Sequence, residues 1–253
     1  MSSGRAPGDH FSTISASYSA FRPRYPRALF EFLASIAPRH RLAWDCGAGT
    51  GQATVDLAEY FDQVIGTDVS AEQIARAPKH PKITWLVAPA ESAPIEPGSV
   101  DLITVAQALH WFDHERFNAE VRRVAAPGAA IAAWTYGAPQ MDGAVGEVLR
   151  RAMFEALGDY WPPERRHVYD GYASIPFPFE RMAAPSLSLV EEWGPAQLAG
   201  YMRTWSAATQ YRATHEDDPI AAVERELGET WADAAQRKRI TWPLIVIAGR
   251  VAP

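Results

Sequence analysis

The chain reads as an α/β protein: a seven-stranded, mostly parallel sheet with helices on both faces. Three observations predict this. Apolar strand-like runs alternate with amphipathic helical patterns from Pro26 to Tyr136, the order that sets parallel strands side by side through right-handed crossovers. The run Val100-Asp101-Leu102-Ile103-Thr104-Val105-Ala106 is almost continuously apolar, as a strand covered on both faces must be. The turn after the first strand, Asp45-Cys46-Gly47-Ala48-Gly49-Thr50-Gly51, carries alternate glycines, so the backbone can bend sharply and approach a ligand with no Cβ in the way.

Taken in order, Pro26 suits the first turn of a helix with Leu29, Leu33 and Ile36 on one face, and Pro38 ends it. The first strand is 42–46, and a helix follows with Ala53, Leu57 and Phe61 four apart. Strand two is 64–68. Ser70 caps a short helix through Ile74 that stops before Pro78. Strands three and four are 83–88 and 100–106. Asp113 caps a helix carrying Phe117, Val121 and Val124, and Pro127-Gly128 turns the chain into strand five, 129–136. The alternation ends there. Val145, Val148, Leu149, Ala152, Met153 and Ala156 form a helical stripe with no strand directly after it, and a Pro- and aromatic-rich stretch from Trp161 to Phe179 reads as irregular. Strand six is 187–193. Leu198, Tyr201, Met202 and Trp205 mark one helix, and Ile220, Val223, Leu227, Trp231 and Ala234 another. A β-rich run interrupted by Pro243, 240–251, closes the chain. The organisation expected is a core over 1–136 with an N-terminal closing segment, a lid inserted over 137–185, and closing strands with a helical insert over 186–253.

At 253 residues, 47% hydrophobic and 21% charged, the chain has the means to bury one substantial core. A net charge of −6 speaks against nucleic acid or an anionic membrane as partner. The Arg165-Arg166 and Arg237-Lys238-Arg239 clusters read as solvated faces. A single cysteine, Cys46, excludes an internal disulfide and suits a reducing, cytoplasmic location. No apolar run reaches the roughly 18 residues of a membrane span, and the first eight residues lack a signal-like apolar stretch. No grouping of Asp, Glu, His or Cys has metal-ligand spacing, so no metal is expected.

The helix that begins near Gly51 offers unpaired N–H groups and a positive dipole end. Asp68 ends strand two, where such folds place a carboxylate on a ribose. Together these imply a ligand that contains a nucleoside. A pyrophosphate dinucleotide calls for G-x-G-x-x-G, but Gln52 stands where the third glycine would be, and Asp45 would set a negative charge beside the phosphates. Asp45 suits a ligand that carries an ammonium group.

Asp-x-Gly-x-Gly-Thr-Gly over 45–51, with an acidic residue after strand two, resembles the class I S-adenosylmethionine-dependent methyltransferases. Pro89-Ala90-Glu91, the segment from Gln107 to Phe112, and Arg123 to Ala129 (Ala129 where the family has glycine) extend the likeness over about 10–136. His110-Trp111-Phe112, Tyr18, Arg22-Pro23-Arg24-Tyr25-Pro26 and Thr204-Trp205-Ser206 resemble a narrower group, the small-molecule methyltransferases of trans-aconitate type. The resemblance implies a Rossmann-like methyltransferase fold, S-adenosylmethionine as cofactor with S-adenosylhomocysteine as product, and a small-molecule acceptor. It also implies roles. Gly47, Ala48, Gly49, Thr50 and Gly51 would shape the backbone around the cofactor, and Asp45 would fix its methionine end. Asp68 would accept from the ribose hydroxyls, Val69 would lie against the adenine, and Ala90 and Glu91 would edge the base. Gln107 would sit near the sulfonium, and Tyr18 would reach the methionine carboxylate from the N-terminal segment. Trp111 and Phe112 read either as core aromatics or as cation–π neighbours of the sulfonium.

Methyl transfer is an in-line displacement in which the protein aligns the acceptor and excludes water. A carboxylate, with a reference pKa of about 4, needs no base. An amine or phenol would, and His110 is the candidate. The expected reaction is O-methylation of a small carboxylic acid, with Arg24, Arg165 and Arg166 as anchors. The competing readings are a dinucleotide-dependent oxidoreductase and a non-catalytic cofactor-binding protein.

Overall fold

A computed structural model of the chain describes residues 21–233 and 235–252, so Tyr18 and Ala234 lie outside the described residues. Pro26 precedes α1 (Arg27–Ile36), which buries Leu29, Phe30 and Leu33. Then follow β1 (Leu42–Cys46), α2 (Gln52–Leu57), β2 (Gln63–Asp68), α3 (Ala71–Arg76), β3 (Ile83–Val87) and β4 (Val100–Ala106). The Ser70 hydroxyl accepts from the Gln73 N–H, and the Asp113 carboxylate from the Arg116 N–H, the two caps read from the sequence. After Asp113 come α4 (His114–Val124) and β5 (Ala125–Tyr136). Helix α2 stops at Leu57 rather than running to Phe61. The Lys82 ammonium donates to the carbonyls of Ala58 and Phe61 at 3.0 and 3.1 Å, satisfying the groups that another helical turn would have used.

The later half brings α5 (Gly143–Arg151), continued by a wide turn at Ala152–Ala156, then α6 (Arg166–Tyr169), β6 (Glu180–Met182) and β7 (Leu187–Trp193). Helices α7 (Pro195–Arg203), α8 (Ser206–Arg212) and α9 (Ala221–Thr230) lead to β8 (Lys238–Arg250). The sheet has eight strands, not seven, in the order β3-β2-β1-β4-β5-β8-β6, with β7 also on β8. β1 to β5 are parallel, and β8 returns antiparallel to β5.

The additional strand, β6, falls just after the stretch read as irregular, which ends at Phe179, and before the strand read at 187–193. Three residues are too few to show a period. β6 and β7 lie end to end along one edge of β8, and between them the segment 183–186, with Pro185, faces the shorter segment 245–247. One additional residue and a missing donor make a bulge that splits what would otherwise be one edge strand. Pro243, by contrast, does not interrupt β8. Thr241 exchanges hydrogen bonds with Gln140, so Pro243, two residues on, presents its nitrogen to the same side. The β5 ladder on that side begins only at Leu244 opposite Tyr136.

Alternation along β5 divides the core. Ala130, Ala132, Trp134 and Tyr136 pack with α1, α5, α7 and α9, while Ala129, Ile131 and Ala133 pack with Trp44, Ile103, Phe117 and Tyr172. Asp101, buried in β4, accepts from the Arg39 side chain and from the Arg41 N–H at 3.2 and 3.1 Å, tying the start of β1 to β4. Strand order reverses between β1 and its two neighbours, β2 and β4, and opens a crevice at their carboxyl ends.

Candidate active site

The crevice holds a cavity walled by the turn after β1 (Gly47, Ala48, Gly49, Thr50), by Asp68 and Val69 after β2, by Ala90 after β3, and by Gln107 after β4. Its wall also includes Arg22, Tyr25, Gln73, Trp111, Phe112 and Tyr136. Gly47 has φ +69° and lies so close to the β4 loop that a Cβ there would stand 2.6 Å from the Ala108 Cβ. Gly51 serves packing instead: at φ +88°, a Cβ would stand 2.2 Å from the Trp85 ring, and the residue is not on the cavity wall. Gly47→Ala adds left-handed strain of roughly 1–2 kcal/mol to that clash. It should lower the Tm by several degrees and weaken S-adenosylhomocysteine at least about tenfold, which scanning fluorimetry with and without the ligand would read.

Asp68 is held at both oxygens, one accepting from the Gly49 N–H and the other from the Ser70 N–H, each at 2.8 Å. Burial raises its pKa, against the pull of those two donors. Asp45 is wholly buried and not on the cavity wall. Its oxygens accept from the hydroxyls of Thr54 (2.6 Å) and Thr104 (2.9 Å), and burial pushes its pKa up to about 6. Ala90 lines the cavity and Glu91 does not. The Glu91 carboxylate accepts from the Asp113 N–H at 2.8 Å, tying the segment after β3 to the start of α4.

Gln107 has φ +56°, a left-handed backbone that costs a non-glycine residue about 1–3 kcal/mol and marks functional loops. Its Oε1 accepts from the Thr135 hydroxyl at 2.6 Å, and its Nε2 donates to the Tyr136 carbonyl at 3.3 Å. Gln107, with Arg22, Trp111 and Tyr136, also lines a second, adjoining chamber, whose remaining wall includes His110, Pro162, Arg165, Val168, Tyr201, Trp205 and Gln210. The Arg165 guanidinium lies 3.7 Å above the Trp161 ring and donates to the Tyr169 hydroxyl. Arg22 donates to the Tyr136 hydroxyl and to the Thr204 carbonyl, both at 3.2 Å. Of the three expected anchors, only Arg165 lines a chamber; Arg24 and Arg166 are exposed on the surface. His110 Nδ1 lies 3.1 Å from the Tyr172 hydroxyl. Burial, then the positive charge of Arg165, His167 and His114, lowers its pKa to about 3, so it is neutral at physiological pH.

Sequence reasoning passed over Arg22, Tyr136 and Tyr201 as wall residues. Tyr136 ends β5 at the ligand-binding edge, a position that itself is a signal; Arg22 and Tyr201 reach the chamber through tertiary packing.

A glycine turn, a strand-terminal carboxylate and two adjoining chambers at the switch point of a doubly wound sheet define a nucleoside-using transferase. A family model described as a methyltransferase domain matches residues 44–133. A Dictyostelium discoideum protein that carries a methyltransferase name is 36% identical over 225 residues, 87% of this chain and 85% of its own. A Saccharomyces cerevisiae protein named for S-adenosylmethionine-dependent methyl transfer is 34% identical over 135 residues, 50% of this chain and 46% of its own. A solved structure from Anaeromyxobacter dehalogenans, described as a type II methyltransferase, superposes with a TM-score of 0.85 at 46% identity, covering 92% of this chain and 99% of that one. The chain belongs to the methyltransferase family. It is an S-adenosylmethionine-dependent methyltransferase, and S-adenosylmethionine is its cofactor.

Proposed function

We propose that the enzyme O-methylates a small carboxylic acid, with the cofactor in the first cavity and the acid in the second chamber. One observation carries the choice of acceptor: two arginines, Arg22 and Arg165, line the second chamber, and none of the described residues on its wall is Asp or Glu. A cationic amine would meet repulsion there, whereas a carboxylate gains charge-assisted hydrogen bonds. The low basicity of His110 supports the same reading, since an imidazole with a pKa of about 3 is a poor proton acceptor for an amine or phenol. The likeness to methyltransferases of trans-aconitate type agrees with an acid.

The residues of the first cavity fit S-adenosylmethionine. Each Asp68 oxygen, having taken one backbone N–H, keeps a lone pair for one of two adjacent ribose hydroxyls. Val69 and Ala90 offer small apolar walls to the adenine, and the turn from Gly47 to Thr50 lets the main chain approach. Asp45, behind that turn, acts by its charge on the ammonium rather than by contact, and Glu91 and Gly51 hold the frame. Tyr18 keeps its proposed role at the methionine carboxylate. When bound, the cofactor supplies an electrophilic methyl group. The chain's part is to align the acid with it and to exclude water, which is worth roughly 7–11 kcal/mol at best. The segment 137–185 serves as the lid: Pro162, Arg165 and Val168 from it close the chamber.

Arg165→Gln removes one anchor of the carboxylate. The expected result is a KM for the acid raised about ten- to a hundredfold, from a lost charged hydrogen bond of about 1.5–3 kcal/mol, with S-adenosylhomocysteine affinity unchanged. A panel of acids, amines and phenols, read by product mass and by base hydrolysis of the ester, tests the class. Turnover of amines but not acids contradicts the proposal.

A further inference from the structure

Trp161, Arg165 and Tyr169 stand four residues apart across the short turn Pro163–Arg165 and α6, a helical spacing that sets side chains on one face. The Arg165 guanidinium carbon lies 3.7 Å from the centre of the Trp161 ring. That is van der Waals contact, so the guanidinium lies nearly parallel to the indole; a steep tilt would drive one of its nitrogens into the ring. Its Nε donates to the Tyr169 hydroxyl at 3.1 Å, and the Tyr169 ring comes within 5.2 Å of the same cation. The indole is itself held. Its Nε1 donates to the Met153 carbonyl at 2.8 Å, and its ring lies 5.5 Å from that of Trp205, a wall residue of the second chamber. Arg165 is on that wall, whereas Trp161 and Tyr169 stand behind it. A guanidinium has two edges that can grip a carboxylate, one pairing Nε with a terminal nitrogen and one pairing Nη1 with Nη2. Tyr169 takes the Nε–H and closes the first edge, while Nη1 and Nη2 have no partner among the described residues.

We propose that Trp161 and Tyr169 clamp Arg165, so that it meets the acceptor only through its Nη1–Nη2 edge, in a plane set by the indole. This rests on the reading that the second chamber takes an acid. Trp161 and Tyr169 are then positioning residues that act through Arg165, and the fork selects a carboxylate held by both oxygens. Each oxygen so held keeps a second lone pair, so the anchor leaves the nucleophile available. A side chain already fixed in its bound geometry also has little rotamer freedom left to lose when the acid arrives. Charge alone does not replace it, because a lysine has neither a plane to stack nor a fork.

Two measurements test the clamp, and only the second depends on the acceptor class. In the full-length protein with S-adenosylhomocysteine, the ¹⁵Nε–¹H pair of Arg165 should be as ordered as rigid backbone, with an NMR order parameter of roughly 0.85. Trp161→Leu should bring it below roughly 0.6, and so should Tyr169→Phe, an exposed position that carries the test alone should the first variant not fold. A mobile Nε–H in the wild-type enzyme, or an ordered one in the folded variants, overturns the clamp. The second measurement is the KM for those acids of the panel that the wild-type enzyme methylates. Trp161→Leu and Tyr169→Phe should each raise it about three- to tenfold, with kcat and S-adenosylhomocysteine affinity unchanged. In an Arg165→Gln background neither should add more than about twofold, because the residue they act through is gone. Fully additive effects, as a merely structural role would give, overturn the proposal. Arg165→Lys should raise KM nearly as far as Arg165→Gln, and a wild-type KM in the lysine variant overturns the fork. An unchanged KM in Arg165→Gln itself marks a different failure: the acid reading falls, and the clamp's part in binding with it.

Discussion

Asp68→Ala should weaken S-adenosylhomocysteine at least about a hundredfold. Two hydrogen bonds from neutral hydroxyls to an ionised acceptor contribute about 1.5–3 kcal/mol each, and the substitution removes both. The substitution also frees the N–H groups of Gly49 and Ser70, which the carboxylate ties together across the end of β2. Asp68→Asn should produce a milder form of both effects. It keeps one oxygen for either N–H and turns an NH₂ toward the other, so the frame loosens while the charge is lost. The alanine and asparagine variants should both be folded, since Asp68 lies at the cavity rather than in the core, and both should turn over slowly at saturating cofactor. Calorimetric titration reads the affinities directly.

The second large effect concerns pH. The folded state raises the Asp45 pKa from 3.8 to about 6, through burial, so it favours the protonated acid more than the unfolded chain does. The ligand-free protein should therefore lose stability as pH rises from about 4 through 6, by about 3 kcal/mol when the shift is complete. Asp68, whose pKa is also raised, adds in the same direction. Cofactor binding runs the opposite way. A ligand bearing an ammonium and a sulfonium favours the ionised carboxylate, so affinity should climb with pH, up to about tenfold per unit below pH 6, and level off above 7. Asp45→Asn should flatten this dependence to what Asp68 supplies, raise the Tm of the ligand-free protein at pH 8, and lower cofactor affinity there. The neighbours can accommodate the amide: Thr104 has the Trp44 carbonyl at 3.4 Å as an alternative acceptor, which leaves its lone pairs for the new NH₂. Thermal melts between pH 4 and 8, with and without ligand, give both slopes.

How much of this was legible in the sequence follows the range of the interactions. The strands β1 to β4, the caps at Ser70 and Asp113, and the glycine turn are written in adjacent residues and stand close to where the sequence reading puts them. β5 instead begins at Ala125, four residues early, with Pro127 and Gly128 inside the strand where the ladder to β4 shifts register between Val100 and Leu102. Asp68 could be placed because it ends a strand beside that turn. Asp45 lies one residue before the end of the neighbouring strand, yet its hydroxyl partners come from Thr54 on α2 and Thr104 on β4, and only the folded sheet brings them around its carboxylate. Glu91 had the right neighbourhood for the base and is instead held by the Asp113 backbone. Arg24 and Arg166 shared a motif with residues that do reach the second chamber, but a step of two residues from Arg22 and of one from Arg165 is enough to turn a side chain from the wall to the surface. β6 escaped notice because its identity as a strand resides in β8, which pairs with it over three residues. The Pro243 position misled for a related reason: the side to which its nitrogen points is set by pairing, and there the ladder has already ended.

The division of labour between the two chambers is tested most directly by titrating S-adenosylhomocysteine into the wild-type enzyme, Asp68→Ala and Arg165→Gln side by side in a calorimeter. Wild type and Arg165→Gln should bind alike, and Asp68→Ala should give little or no heat. Binding by Asp68→Ala as tight as wild type, or a loss in Arg165→Gln as deep as in Asp68→Ala, would contradict the assignment of nucleoside to the first cavity and acid to the second.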